Sequence, residues 1–157
     1  MVGCNQGGYD THGSENRRFN ALSRDLGLAL TALRLDLASI WQDMVILTMT
    51  EFGRTSRQNN NLGTDHGEAA CNLLLGGSVR GGVYNCHDGG GLGSTWRTGD
   101  IYESRGRYVK HRTDYRQLYS EILEGHLGLA DGVTMDEIIP GFSSLSGPDF
   151  RPLNLIS

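Results

Sequence analysis

Asp43-Met44-Val45-Ile46-Leu47-Thr48-Met49-Thr50 is a short apolar run with β-branched residues at Val45, Ile46, Thr48 and Thr50. A run of this length and kind predicts a strand buried on both faces, as in a parallel sheet, with Glu51 at its carboxyl end. Upstream, Phe19, Leu22, Leu26, Leu30, Leu33 and Leu37 recur at helical spacings, so a helix with one buried face is expected from Ser14 to about Ala38. Ser14 is its expected N-cap, and Glu15 places an acid in the first turn. Downstream, Cys71 to Leu75 predicts a second buried strand closed by Gly76-Gly77, and Gly82-Val83-Tyr84 a third, short one. Asp114 with Gln117 resembles a capping box opening a second amphipathic helix, which bears Tyr115, Leu118, Tyr119, Ile122 and Leu123 and stops at Gly128. The order helix, strand, strand, helix favours an α/β sandwich: a mostly parallel sheet flanked by helices, with the site in loops at strand ends.

At 157 residues the chain fits one domain with a reasonable core. Its 23 glycines imply many tight loops. Gly89-Gly90-Gly91 begins a long irregular stretch to about Arg112, and the tail from Gly132 onward consists of short apolar words expected to drape on the body. A net charge of −4 offers no polycationic surface for nucleic acid, and no apolar run is long enough to span a membrane. Lys110 is the only lysine; the other cations are arginines, which suit bidentate binding of phosphate, sulfate or carboxylate, although codon bias accounts for them equally well. Cys4, Cys71 and Cys86 are odd in number and widely spaced, which neither establishes nor excludes a disulfide.

The candidate chemistry lies in two glycine-flanked clusters, Gly8-Tyr9-Asp10-Thr11-His12-Gly13 and Gly63-Thr64-Asp65-His66-Gly67. Carboxylate and imidazole are the oxygen and nitrogen ligands that zinc and similar divalent ions take, and glycine lets backbone turn sharply beside an ion. The competing reading of each pair is a turn held by an Asx side chain. The Asn-rich segment from Arg57 to Gly63 reads as a loop that returns over the strand edge to Asp65 and His66. Glu51 reads as either a ligand or an acceptor for loop amides. Arg54 is a candidate for binding an anionic ester, with Arg80 weaker; a loop arginine also serves as a helix-end cap or ion-pair partner. His87 beside Asp88 reads as a solvated loop residue, and His111 and His126 as surface or helix-end residues. No Gly-x-Ser-x-Gly elbow points to a serine hydrolase.

The ordered set of Gly8-Tyr9-Asp10-Thr11-His12, Thr50-Glu51-Phe52-Gly53-Arg54, Gly63-Thr64-Asp65-His66-Gly67 and Leu74-Leu75-Gly76-Gly77-Ser78-Val79-Arg80-Gly81-Gly82 resembles the domain-of-unknown-function-1501 family. The segment Thr113-Asp114-Tyr115-Arg116-Gln117-Leu118-Tyr119 is similar to it as well. That family is related to the alkaline phosphatase and sulfatase superfamily. The resemblance implies a partial alkaline-phosphatase-like sandwich carrying divalent metal, zinc foremost with manganese or calcium as alternatives. It also implies metal-assisted hydrolysis of a small anionic ester, phosphate or sulfate, by a hydroxyl or formylglycine nucleophile.

Under the resemblance, Asp10 and His12 look like the carboxylate and histidine of one metal site. Asp65 and His66 admit two alignments. By motif they resemble the Asp-His-Gly ligands of a second metal. By chain order Glu51 occupies that place, and His66 completes a three-ligand set with Asp10 and His12. No Cys-x-Pro-x-Arg signature surrounds any cysteine, and nothing before Gly8 resembles the superfamily's nucleophile. The resemblance therefore makes residues 1–157 the expected carboxyl-terminal part of a larger domain, open to self-association or to pairing with an amino-terminal half. It also implies a bacterial periplasmic or exported protein. The alternative expectation is a non-catalytic binding or scaffold domain that retains the fold.

Overall fold

The computed structural model describes residues 1–85, 107–129, 132–147 and 150–157, together with the strand Leu92–Gly93. The elements in chain order are α1 (Glu15–Asp36), a 3-10 helix (Ala38–Asp43), β1 (Val45–Leu47), β2 (Gly53–Arg54), β3 (His66–Gly67), β4 (Leu74–Gly76), β5 (Val83–Tyr84), β6 (Leu92–Gly93), α2 (Tyr115–Gly125), α3 (Met135–Ile138) and a 3-10 turn (Phe142–Ser144). The glycine run at Gly89 and the His87-Asp88 pair lie outside the described residues.

The sequence predicts helix α1 and strands near β1 and β4, but the expected architecture is corrected. Among the described residues there is no mostly parallel sheet and no partial alkaline-phosphatase-like sandwich. The strands pair only in twos, and every pair is antiparallel: β1 with β4, β2 with β3, and β5 with β6. In the first pair Val45 faces Gly76, Ile46 faces Leu75 and Leu47 faces Leu74. The physical reason is the connection. A parallel neighbour needs a crossover of a dozen or more residues, usually a helix, that returns the chain to its starting edge. No helix lies between β1 and β4, so the chain turns back on itself and pairs antiparallel. An apolar β-branched run specifies a strand without specifying its partner's direction. All three β1 residues are half-buried, short of the two-sided burial expected.

Beyond Leu47 the β1–β4 ladder continues through Thr48, whose N–H donates to the Leu73 carbonyl at 2.9 Å and whose Oγ1 accepts from the Leu73 N–H at 2.8 Å. The chain between these two residues makes an excursion that carries β2 and β3, where Gly53 faces Gly67 and Arg54 faces His66. Backbones approach so closely here that a Cβ on Gly53 would lie 1.8 Å from the Ala69 carbonyl oxygen. Side-chain-free backbone at Gly53 is thus what lets this excursion fold flat against itself.

Helix α1 carries its predicted stripe, with Leu22, Leu26, Leu30 and Leu33 half-buried, yet no residue of the helix is fully buried. Phe19, Leu28 and Leu35 are exposed. The buried apolar residues among those described are Met135 in α3 and Leu155 in the tail. The tail drapes as expected: Val79 and Ile156 form an antiparallel bridge, and Arg80 N–H donates to the Leu155 carbonyl at 2.8 Å. Glu121 on α2 fastens it from the other side by accepting from the N–H groups of Leu153 and Leu155. Within the tail, Thr134 and Glu137 form a capping box that starts α3.

Asp114 caps α2 as the sequence predicts, its Oδ1 accepting from the Arg116 N–H at 2.9 Å. The same carboxylate pairs with the Arg116 guanidinium at 2.6 and 2.8 Å. The hydrogen bonds from the Arg116 side chain, followed by its backbone N–H and its charge, hold the Asp114 carboxyl below its ordinary pKa. A depressed folded-state pKa means that the cap's stabilisation is complete above the unfolded value of about 3.9 and is lost as pH falls through the folded value. Asp114→Ala is expected to lower stability by about 1 kcal/mol at neutral pH. Thermal melts should show that difference shrinking toward zero as the pH is taken well below 4; an undiminished difference there would refute the carboxylate's role.

Candidate metal centre

Asp10 and His12 sit in the segment that enters α1, and His66 is the first residue of β3. Between Asp10 and His12, the Thr11 side chain is fully buried while both neighbours are exposed. Segment and strand are joined by the loop that returns from β2, organised around Asn59. The Asn59 Oδ1 accepts from the N–H groups of Asn61 and Gly63 at 2.9 and 3.1 Å. Its Nδ2 donates to the His12 carbonyl at 3.0 Å and to Asp65 Oδ1 at 3.1 Å.

This loop also supplies the start of α1. Ser14 occupies the expected N-cap position, but its backbone is left-handed (φ 51°) and its side chain makes no cap hydrogen bond. The N–H groups of Ser14 and Glu15 instead donate to the carbonyls of Asn61 and Leu62, at 3.0 and 2.8 Å. Backbone acceptors from the loop thus satisfy donors that a serine hydroxyl normally takes. Both segments that carry the Asp10, His12 and His66 cluster are locked to the helix end by the same contact.

The ligand atoms converge. Asp10 Oδ1 lies 2.8 Å from His66 Nε2 and 3.0 Å from His12 Nε2, and the two Nε2 atoms are 3.1 Å apart. Arg54 Nη1 donates to the same Asp10 oxygen at 2.9 Å. Hydrogen bonding alone satisfies this arrangement poorly. A neutral imidazole has one N–H. If both Nε2 atoms carry it, two donors face each other; if either is bare, its lone pair faces another lone pair. Cation binding removes the conflict, because three lone pairs then face one positive charge. The spacing fits as well: ligands about 2.0 Å from a tetrahedral zinc lie about 3.3 Å from one another.

The surroundings brace the triad. Phe52 stacks on the His66 ring with centroids 3.8 Å apart and planes at 14°. Arg54 spends its guanidinium on this braced edge, donating from Nε to Thr64 Oγ1 at 2.9 Å and from Nη2 to the Thr64 carbonyl at 2.8 Å and Thr11 Oγ1 at 3.4 Å. The hydrogen bond from His66 first, then that from Arg54 and the charge of His12, hold the Asp10 carboxyl below its ordinary pKa and so ionised at neutral pH. Asp65 is likewise lowered, chiefly by the Asn59 hydrogen bond, then by His12 and Arg107.

The five site residues named from sequence therefore fall into three places. Asp10, His12 and His66 meet. Asp65 stands behind His12, its Oδ1 3.6 Å from His12 Nδ1, with Arg107 Nη2 3.9 Å from its other oxygen. Glu51 is exposed and lines a groove of about 780 Å³ that also touches Cys71, Tyr84 and Leu118 and, at Lys110 and His111, adjoins the surface beside His66. Arg54, the candidate for substrate, faces Asp10, Thr11 and Thr64.

The family described as "Protein of unknown function (DUF1501)" matches residues 1–139. The chain belongs to the DUF1501 family. No curated protein and no solved structure matches it. In this DUF1501 chain a second groove, of about 630 Å³, opens beside His66 and is lined by Glu68, Tyr108, Val109, Lys110 and His111. The sole lysine of the sequence thus lies next to the histidine cluster. Asn59, Phe52 and Thr64 are site residues that sequence reasoning passes over. For Asn59 the available signal is its place in an Asn-rich loop ending at the ligand-bearing motif; Phe52 and Thr64 lie inside the motifs themselves and carry no chemical mark of their own.

Proposed function

We propose that Asp10, His12 and His66 bind one divalent cation, zinc foremost, and that this DUF1501 chain serves metal-dependent hydrolysis of a small phosphate or sulfate ester. The observation that carries the reading is the triangle of three ligand atoms with edges of 2.8, 3.0 and 3.1 Å. Two imidazole nitrogens and one carboxylate oxygen suit zinc better than calcium, which takes oxygen ligands; manganese is the intermediate case. The bound ion would supply Lewis acidity toward an ester oxygen and toward the nucleophile. Arg54 holds the Asp10 carboxylate in place, and Phe52 fixes the plane of His66. Lys110 and His111, in the groove beside His66, are the groups suited to the anionic oxygens of the ester. Kinship with the alkaline phosphatase and sulfatase superfamily, and with it an exported location, belongs to the same proposal and concerns the site's chemistry rather than its sheet.

One observation favours the second reading, a non-catalytic binding domain. The threonine hydroxyls of the two ligand-bearing motifs, Thr11 and Thr64, both accept from Arg54, and Thr11 is fully buried, so neither is presented as a nucleophile. Zinc content and turnover of generic aryl phosphates and aryl sulfates separate the readings. Near-stoichiometric metal with turnover abolished by a chelator is the expected result. Full metal occupancy with no turnover of either ester class would favour the binding domain, and absence of metal after incubation with zinc and manganese would remove the metal site.

A further inference from the structure

Asp65 and His66 are adjacent in sequence and look like one ligand pair, but they face different things. His66 Nε2 points at Asp10 and His12 Nε2. Asp65 turns the other way, toward Nδ1 on the far side of the His12 ring, 3.6 Å from Oδ1. Its backbone is tied to the β2 end through Thr55, whose Oγ1 accepts from the Asp65 N–H at 3.2 Å and whose N–H donates to the Asp65 carbonyl at 2.9 Å. Its carboxylate is tied to Asn59, and Asn59 simultaneously holds the His12 carbonyl. One amide therefore fixes both the carboxylate and the backbone of the histidine that the carboxylate faces.

We infer that Asp65 and Asn59 form a positioning unit for His12, bracing the Nδ1 side of its ring so that Nε2 is aimed at Asp10 and His66. A carboxylate beside the ring nitrogen that binds no ion orients the ring and steadies the proton there once a cation holds the opposite nitrogen. Asp65 is then a positioning residue and His66 a ligand, although the two are neighbours in one motif. The inference rests on the metal-site reading above, because without an ion Asp10 Oδ1, 3.0 Å from Nε2, is the nearer carboxylate.

The test uses the full chain, with zinc and cobalt(II) affinities measured by chelator competition. Asn59→Ala is expected to weaken binding with Asp65 still present. Asp65→Asn is expected to lower affinity about 10- to 100-fold while keeping one ion per chain and the visible spectrum of bound cobalt(II), since the ligand set is unchanged. A lost or altered cobalt spectrum would make Asp65 a ligand, and affinity within twofold of the unmodified chain would deny it any role. Failure of the unmodified chain to bind either ion would overturn the metal-site reading, a result distinct from unchanged affinity in Asp65→Asn.

Discussion

Alanine at His66 is expected to lower zinc affinity by about 100-fold or more. Removing a partner that only orients a ligand costs about 10- to 100-fold, and His66→Ala removes a ligand atom itself. It leaves Asp10 and His12 on one segment, with no third candidate ligand in their cluster among the described residues. Chelator competition on the purified chain reads the effect. His126→Ala, at the C-cap of α2, is the matched control and should stay within twofold of the unmodified affinity. Equal affinities for the two variants would take His66 out of the site.

Gly63→Ala is expected to place a severely clashing methyl directly behind the candidate ligand His12. A Cβ there would lie 2.2 Å from the His12 carbonyl carbon and 2.5 Å from the Gly13 nitrogen, both backbone atoms that cannot rotate away. Overpacking of this kind costs about 1–3 kcal/mol, and more where backbone is the obstacle. At about 2–4 °C per kcal/mol for a chain of this size, the melting temperature should fall by about 6 °C or more. The displaced backbone is that of His12 and of the Gly13–Leu62 bridge, so metal affinity should fall together with stability. A Gly63→Ala chain that melts and binds zinc like the unmodified protein would show that the loop does not close on His12 as described.

The sequence conveys these features unequally. Helix α1 is legible because its leucines repeat at the helical period over several turns, a local signal independent of the rest of the chain. The strand at Val45 is legible as a strand for a similar reason, but its direction relative to β4 depends on the path of residues 48–73, which periodicity does not describe. Hence the parallel sandwich expected from element order gives way to antiparallel pairs. Asp10, His12, Asp65 and His66 are legible as chemistry because carboxylate and imidazole recur together in two glycine-flanked clusters of one short chain. Which of them meet is a matter of which way each side chain leaves the backbone: chain order slightly prefers His66 with Asp10 and His12, and the fold turns His66 toward Asp10 and Asp65 toward His12. The box Thr134-x-x-Glu137 carries a local signature, yet it sits among the short apolar words of a tail whose helix is only one turn long.

The burial of Thr11 constrains the spacing of the residues on either side of it. It is the residue between Asp10 and His12, fully enclosed while both of them face outward, and its carbonyl accepts from the Thr64 N–H at 3.3 Å. That single inward side chain sets the phase of the whole segment. A residue inserted between Asp10 and His12 would swing one of these two side chains into the protein and push a replacement for Thr11 into solvent. A charged side chain at position 11 would drag the segment off its seat with Asp10 and His12 themselves untouched. Searches for relatives that share this centre are therefore better guided by Asp, one small enclosed residue and His than by the ligands alone.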